Sequence, residues 1–174
     1  MTRKIYISPS TQEKNIGFGD YGTEEFRMNQ IANKLEELLI KNGYEVYRNS
    51  PEMTVQDIVD DSNKVMPDIH IALHSNASMN GEAMGIEIFA SRENSSSDKL
   101  ARLIYDELQN IYYDKDFGRG IKYTNELKEV REVLAPVVLI EMGFHDNPQD
   151  SKWILDNEDN ITYAIFSAIE KYFE

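Results

Sequence analysis

Residues 137–144 read VVLIEMGF, the most apolar run in the chain, and a single carboxylate, Glu141, interrupts it. Such a run predicts a buried strand at the centre of a sheet. Because burying an unpaired carboxylate is costly, Glu141 should face a cation, a metal-bound water or a hydrogen-bond network. Burial also raises the pKa of a carboxylic acid, as a general base near neutral pH requires. The plainer alternative is a strand-end glutamate that faces water or pairs with Arg or Lys.

Outward from this strand, strand and helix patterns alternate along the chain. Strands are predicted at residues 4–8, 45–49, 68–75, 85–91, near Ile121 and at 137–144. Helices are predicted at 24–42, from Thr54 onward with Asp57 as a capping partner, and at about 97–112, 151–155 and 159–173. This alternation predicts one α/β domain over residues 1–174, with a mostly parallel twisted sheet of about five to six strands and helices on both faces.

The composition excludes several classes of protein. Among 174 residues, 18 Lys and Arg stand against 31 Asp and Glu, for a net charge of −13. Without a basic cluster, we expect no binding to nucleic acid or to an anionic membrane. There is no cysteine, which excludes disulfides, thiolate zinc sites and cysteine nucleophiles. The sequence shows no signal peptide and no apolar run of membrane-span length. We expect a soluble protein that is cytoplasmic until its release, or that acts at the bacterial cell wall.

Several polar residues are expected at one edge of the sheet, because ligands of open α/β sheets bind beyond the carboxyl ends of the strands. The first strand runs into the loop SPSTQEKN, residues 8–15, and the third strand ends at His74. Glu24 and Glu25 lie in the first turn of the first long helix. Together with Glu141, these features predict a polar site at that edge.

The three histidines do not suggest one shared metal site on spacing alone. A lone histidine at a strand end, such as His74, is most often a structural residue. His70 and His74 share a strand face about 13 Å apart at the rise of a strand, too far to bind one ion. We interpret His70 as structural and His145 as part of a loop.

Three segments, in this order, resemble the zinc-dependent N-acetylmuramoyl-L-alanine amidases of type 3. They are EEFRMNQIANKLEELLIKNGYEV at 24–46, DIHIALHSNAS with GIEIF at 68–89, and APVVLIEMGFHDN at 135–147. These bacterial and phage enzymes cut the amide between muramic acid and the stem peptide of peptidoglycan. The resemblance covers essentially the whole chain.

The resemblance implies a set of site residues. Glu25 corresponds to the zinc-binding glutamate, since Asn29 follows it by four residues, and His74 corresponds to a second zinc ligand. Glu141 corresponds to the catalytic base that activates a zinc-bound water. The implied cofactor is Zn²⁺ and the implied substrate is peptidoglycan. A separate cell-wall-binding module outside this chain is also expected, because the acidic surface makes strong binding to the wall by this domain alone doubtful.

The opening loop departs from the family pattern, which places a third zinc ligand, a histidine, after the first strand. No histidine lies in residues 8–15, and Lys14 is closest in register. A lysine must first lose its proton, which costs roughly 4–5 kcal/mol near pH 7. Zinc therefore binds weakly through Glu25 and His74, or it uses Lys14, another loop group such as Glu13, or water.

Three functions remain open at this stage. The first is a peptidoglycan amidase. The second is a degenerate, metal-impaired amidase domain that binds the wall or a partner, and the third is an α/β metal hydrolase acting on a different amide. Arg131 and the loops at residues 78–84, 114–124 and 145–148 are candidates for substrate contacts.

Overall fold

The computed structural model describes residues 2–174, which form six strands and six helices around one sheet. The strands are β1 (Lys4–Pro9), β2 (Glu45–Arg48), β3 (Ile69–Asn76), β4 (Glu87–Ala90), β5 (Gly120–Tyr123) and β6 (Val137–Phe144). The helices are α1 (Glu24–Lys41), α2 (Val55–Val65), α3 (Ser96–Ile111), α4 (Lys128–Glu132), α5 (Pro148–Asp156) and α6 (Glu158–Phe173). The predicted α/β class is confirmed.

The sheet has the order β2-β1-β3-β6-β4-β5. Strands β1, β2, β3 and β6 run parallel, whereas β4 runs antiparallel to β6 and β5 follows the direction of β4. The prediction of a central β6 is confirmed, since β3 and β6 form the middle pair. Because β4 and β5 are reversed, their first residues lie at the edge where β3 and β6 end.

Alternate residues of β3 serve the two faces of the sheet. Ile69, Ile71 and Leu73 face the main core, which α1, α3 and α6 complete. On the opposite face, Ala72 packs against Val130 of α4. His74 lies two residues after Ala72, on the same face, and is only partly buried. The open part of this second face therefore lies at the carboxyl ends of β3 and β6.

Local sequence signals account for the helix starts. Thr54 accepts a hydrogen bond from the backbone N–H of Asp57, and the Asp57 side chain caps Thr54 in return, so the predicted capping box is confirmed. Thr23 caps α1 in a similar way by accepting from the backbone N–H of Phe26. This cap makes Glu24 the first residue of α1. Within residues 2–174, no helix is both long enough and apolar enough to cross a membrane.

Candidate active site

Five charged or polar side chains form a row across the open part of the sheet, which we call the polar row. His74, Glu141 and Glu87 are register neighbours on β3, β6 and β4, so their side chains emerge on one face. Glu24 closes one end, with its Oε1 2.9 Å from Nδ1 of His74. Arg119 closes the other end, with its Nε 3.2 Å from Oε2 of Glu87. The row brings two predicted site residues, His74 and Glu141, side by side.

Glu24 and His74 form a buried pair at the start of α1. Glu24 is only 1% exposed, and its Oε2 accepts a 2.7 Å hydrogen bond from the Asn15 side chain. Burial by itself would raise the pKa of Glu24, but the hydrogen bonds with His74 and Asn15 hold that pKa below its ordinary value. Burial likewise opposes protonation of His74, yet the bond to Glu24 and the surrounding carboxylates raise its pKa. The two side chains therefore favour an ion pair.

The two neighbouring glutamates at the start of α1 differ in their contacts, and the role of Glu25 as a zinc ligand stays a prediction. Glu24, not Glu25, contacts His74. Glu25 lies one residue further along α1, about 100° around the helix, so its side chain points away from the direction that Glu24 takes. Asn29, which suggested Glu25 by its spacing, instead donates to the backbone carbonyl of Glu25 at 2.8 Å and accepts from Arg48. Asn29 therefore holds the helix and β2 together.

Lys14 lies in an exposed turn of the opening loop. The loop side chain that reaches Glu24 is that of its neighbour, Asn15. The backbone N–H of Glu24 also donates to the Asn15 carbonyl at 2.8 Å, which ties the loop to the helix start. Position 14 is thus adjacent in sequence to a residue that contacts the Glu24–His74 pair, and Lys14 itself is exposed to solvent.

Glu141 occupies the centre of the polar row. Its Oε2 is buried and has no hydrogen-bond partner among residues 2–174. Burial raises the pKa of Glu141 to about 8; Glu24 and Glu87 add to this effect, and His74 opposes it. Glu141 can therefore bind and release a proton near neutral pH. The Glu141 side chain as a whole is half-buried, so it borders the open part of the sheet next to His74.

The donors at the Glu24–His74 pair fall one short of a catalytic zinc site. Such sites take three protein ligands and leave a fourth position open. A carboxylate oxygen and an imidazole nitrogen converge here, but residues 2–174 contain no group of three His, Cys, Asp or Glu side chains that could hold a metal. The residues present therefore do not complete the three-ligand set that the family pattern implies.

The other two histidines support the structure, as the sequence indicated. His70 is fully buried, with its ring nitrogens 2.9 Å from Ser62 Oγ and 2.7 Å from Glu129 Oε1. His145 is also buried, and its Nδ1 lies 2.9 Å from both the hydroxyl and the carbonyl oxygen of Ser75. His70 links α2 and α4 to β3, and His145 links the end of β6 to β3.

Sequence reasoning did not identify Glu87 as part of the site, and it included Asn15 and Arg119 only as members of the candidate loops 8–15 and 114–124. The segment GIEIF contained a signal for Glu87, a carboxylate within an apolar strand like that of Glu141. Arg119 precedes a short strand, and only the pairing of β4 with β5 brings it beside Glu87.

The fold and the sequence are both similar to those of N-acetylmuramoyl-L-alanine amidases. The profile of the N-acetylmuramoyl-L-alanine amidase family matches residues 5–171. The chain belongs to this family.

Individual relatives agree with this placement. A germination-specific N-acetylmuramoyl-L-alanine amidase of Bacillus subtilis is 23% identical over 172 residues, which are 98% of this chain and 72% of the relative. An uncharacterized cell wall amidase of Bacillus anthracis is 35% identical over 117 residues, which are 62% of this chain and 21% of the relative. The solved catalytic domain of an N-acetylmuramoyl-L-alanine amidase from Paenibacillus polymyxa is 19% identical and has the same fold, with a TM-score of 0.87 over 99% of this chain and 98% of that one.

Proposed function

We propose that this domain hydrolyses the amide between N-acetylmuramic acid and the L-alanine of the peptidoglycan stem peptide, with Glu141 as the base. Membership of the amidase family supports the bond and the substrate. The observation that carries the role of Glu141 is its buried, unpartnered Oε2 beside His74 at the open edge of the sheet.

The proton chemistry follows from the environment of Glu141. An ordinary glutamic acid is almost fully ionised at pH 7 and is a weak base. With its pKa raised to about 8, Glu141 is a stronger base in its ionised form and still exchanges protons near neutrality. It can take a proton from the attacking water and deliver it to the leaving amine of L-alanine. No covalent intermediate is required.

Zinc binding is a separate part of the proposal. Glu24 and His74 are the ligands that this chain offers, and Lys14 stands near the position where the family pattern has a histidine. With two protein ligands, we expect weak zinc binding, and we assign no step of the reaction to the metal. Lys14→His should increase the zinc content of the purified protein, and Lys14→Gln is its matched control. Equal zinc content in both variants would show that position 14 does not supply the third ligand.

The function is tested by digesting purified peptidoglycan and identifying the bond that is cut. Hydrolysis should release peptides with a new L-alanine amino terminus, detected by mass spectrometry, while the glycan strands stay intact. The matched variant Glu141→Gln keeps the shape of the side chain and removes the base. New reducing sugar ends in place of L-alanine termini would contradict the proposed bond.

The incomplete donor set favours a second candidate, a non-catalytic module that binds the wall or a partner. Such a module would sediment with peptidoglycan and release no L-alanine termini, even after Lys14→His. With a net charge of −13, the domain has little electrostatic attraction for an anionic wall polymer. We therefore expect tight attachment to the wall to depend on a separate binding module.

A further inference from the structure

Arg119 is held rigidly at the end of the polar row. Its backbone N–H donates to the carbonyl of Ile86 at 3.3 Å, and its guanidinium carbon lies 4.9 Å from the centre of the Phe144 ring. Gly85 leaves room for the aliphatic part of the Arg119 side chain, because a Cβ atom at Gly85 would lie 3.1 Å from Arg119 Cγ. A guanidinium fixed in this way loses little entropy when it binds an anion.

The positive charge of the Arg119 guanidinium is balanced by a neighbouring carboxylate, but some of its N–H donors form no hydrogen bond. Glu87 neutralises it through the 3.2 Å ion pair, and the other oxygen of Glu87 accepts from the Asn76 side chain at 2.9 Å. The Nε atom is buried and lies near Glu87 Oε2 without the geometry of a hydrogen bond, and within residues 2–174 no acceptor forms a hydrogen bond with the two terminal nitrogens. The side chain is nevertheless 34% exposed. The terminal N–H groups of Arg119 are therefore unused donors next to the first residues of β4 and β5.

We propose that Arg119 binds a carboxylate of the stem peptide and makes the domain selective for it. This inference rests on the proposed function. Arginine binds carboxylates through two parallel hydrogen bonds. Arg119 directly precedes β5, and Glu141 lies on β6, with β4 between these two strands. Two spacings between neighbouring strands place Arg119 about 10 Å from Glu141. A carboxylate one or two residues from the amide at Glu141 can span this distance.

The chemical class of this group follows from the substrate. The residue after L-alanine in the stem is a D-glutamate linked through its side chain, so its α-carboxylate is either free or amidated. The free carboxylate would accept from Arg119 with both oxygens, whereas the amide would offer one carbonyl acceptor and an NH2 group that a guanidinium cannot accept from. In a chain with a net charge of −13, such discrimination requires a local cation at the site.

The inference is tested by equilibrium binding rather than by turnover. N-acetylmuramoyl-L-alanyl-D-glutamate and its D-isoglutamine counterpart, both with the γ-carboxyl group blocked as a methylamide, are titrated into the full chain by calorimetry. Every variant is made in a Glu141→Gln background so that neither ligand is consumed. We expect the free carboxylate to bind about ten- to a hundredfold more tightly. Arg119→Gln should bring the ratio close to one, and Arg119→Lys should retain part of it. Arg3→Gln, which removes an exposed ion pair with Asp68, is the control and should change nothing.

A further variant separates anion binding from a merely structural ion pair. Glu87→Gln keeps an acceptor for Asn76 and removes the charge that competes for Arg119. If Arg119 binds the carboxylate, this variant should bind it more tightly than the parent. If Arg119 only supports Glu87, both Glu87→Gln and Arg119→Gln should weaken the two ligands equally, which would overturn the inference.

The remaining outcomes are equally decisive. Equal affinity for the two ligands in the parent chain, or no binding of either, would also overturn the inference. Selective carboxylate binding by a chain that releases no L-alanine termini from peptidoglycan would contradict the proposed hydrolysis and leave the assignment of Arg119 intact.

Discussion

Glu141→Gln should stabilise the fold, and by more as the pH rises. The unfolded chain ionises Glu141 near its ordinary pKa of 4.5, whereas the folded chain does so only near 8. Between these values the folded state binds more protons than the unfolded state, so the wild-type free energy of unfolding falls as the pH rises. The substitution removes this loss. The resulting stability gain is below about 1 kcal/mol at pH 5 and grows by about 3 kcal/mol towards pH 8.

Urea unfolding at half-unit pH steps from 5 to 8 measures this gain directly. The matched control is Glu37→Gln on the exposed side of α1, where the difference from wild type should not change with pH. A constant difference between Glu141→Gln and wild type across this range would refute the reasoning, because it would mean that the folded and unfolded chains ionise Glu141 alike.

Two further substitutions test the buried carboxylates around the site. Asp150 accepts hydrogen bonds from two tyrosine hydroxyls and two backbone N–H groups. Asp150→Asn should therefore lower the free energy of unfolding by about 2–4 kcal/mol. The control Asp156→Asn, at an exposed position, should have little effect. Equal urea midpoints for these two variants would contradict this role. Glu129→Leu should cost about 1–3 kcal/mol because it leaves Nε2 of the buried His70 unpaired, and the exposed Glu126→Leu is its control in the same thermal-unfolding series. A cost no larger than that of the control would show that the pair does not stabilise the fold.

Most of the fold was predictable because its local signals agree with its packing. The run at residues 137–144 coincides with β6 residue for residue, since Pro136 precedes it and the polar residues HDN at 145–147 follow it. Helix α2 begins where its capping box indicates. Helix α4 was not predicted because its five residues are too few to show a helical period, and packing of Val130 against the sheet helps to hold it. The direction of β4 was not predictable either, because the residue pattern of a four-residue strand does not specify the direction in which it pairs.

The site was predictable where a residue conflicts with its surroundings, and not where its role depends on tertiary placement. Glu141 was evident as a carboxylate in an apolar strand, and His74 as the end of another strand. The choice between Glu24 and Glu25 depended on which way the first turn of α1 faces, and spacing to Asn29 favoured the residue that does not contact His74. The ion pair between Glu87 and Arg119 requires the pairing of β4 with β5, which no local pattern specifies.

The role of Glu141 is tested most directly by the rate at which L-alanine amino termini appear in purified peptidoglycan at pH 7. The comparison is between wild type and Glu141→Gln, each shown to be folded by circular dichroism and at equal concentration. If Glu141 is the base, wild type should release these termini and the substitution should lower the rate by about a hundred- to ten-thousandfold. Equal rates for the two proteins, or no release by wild type, would contradict the assignment of Glu141 as the base of an active amidase.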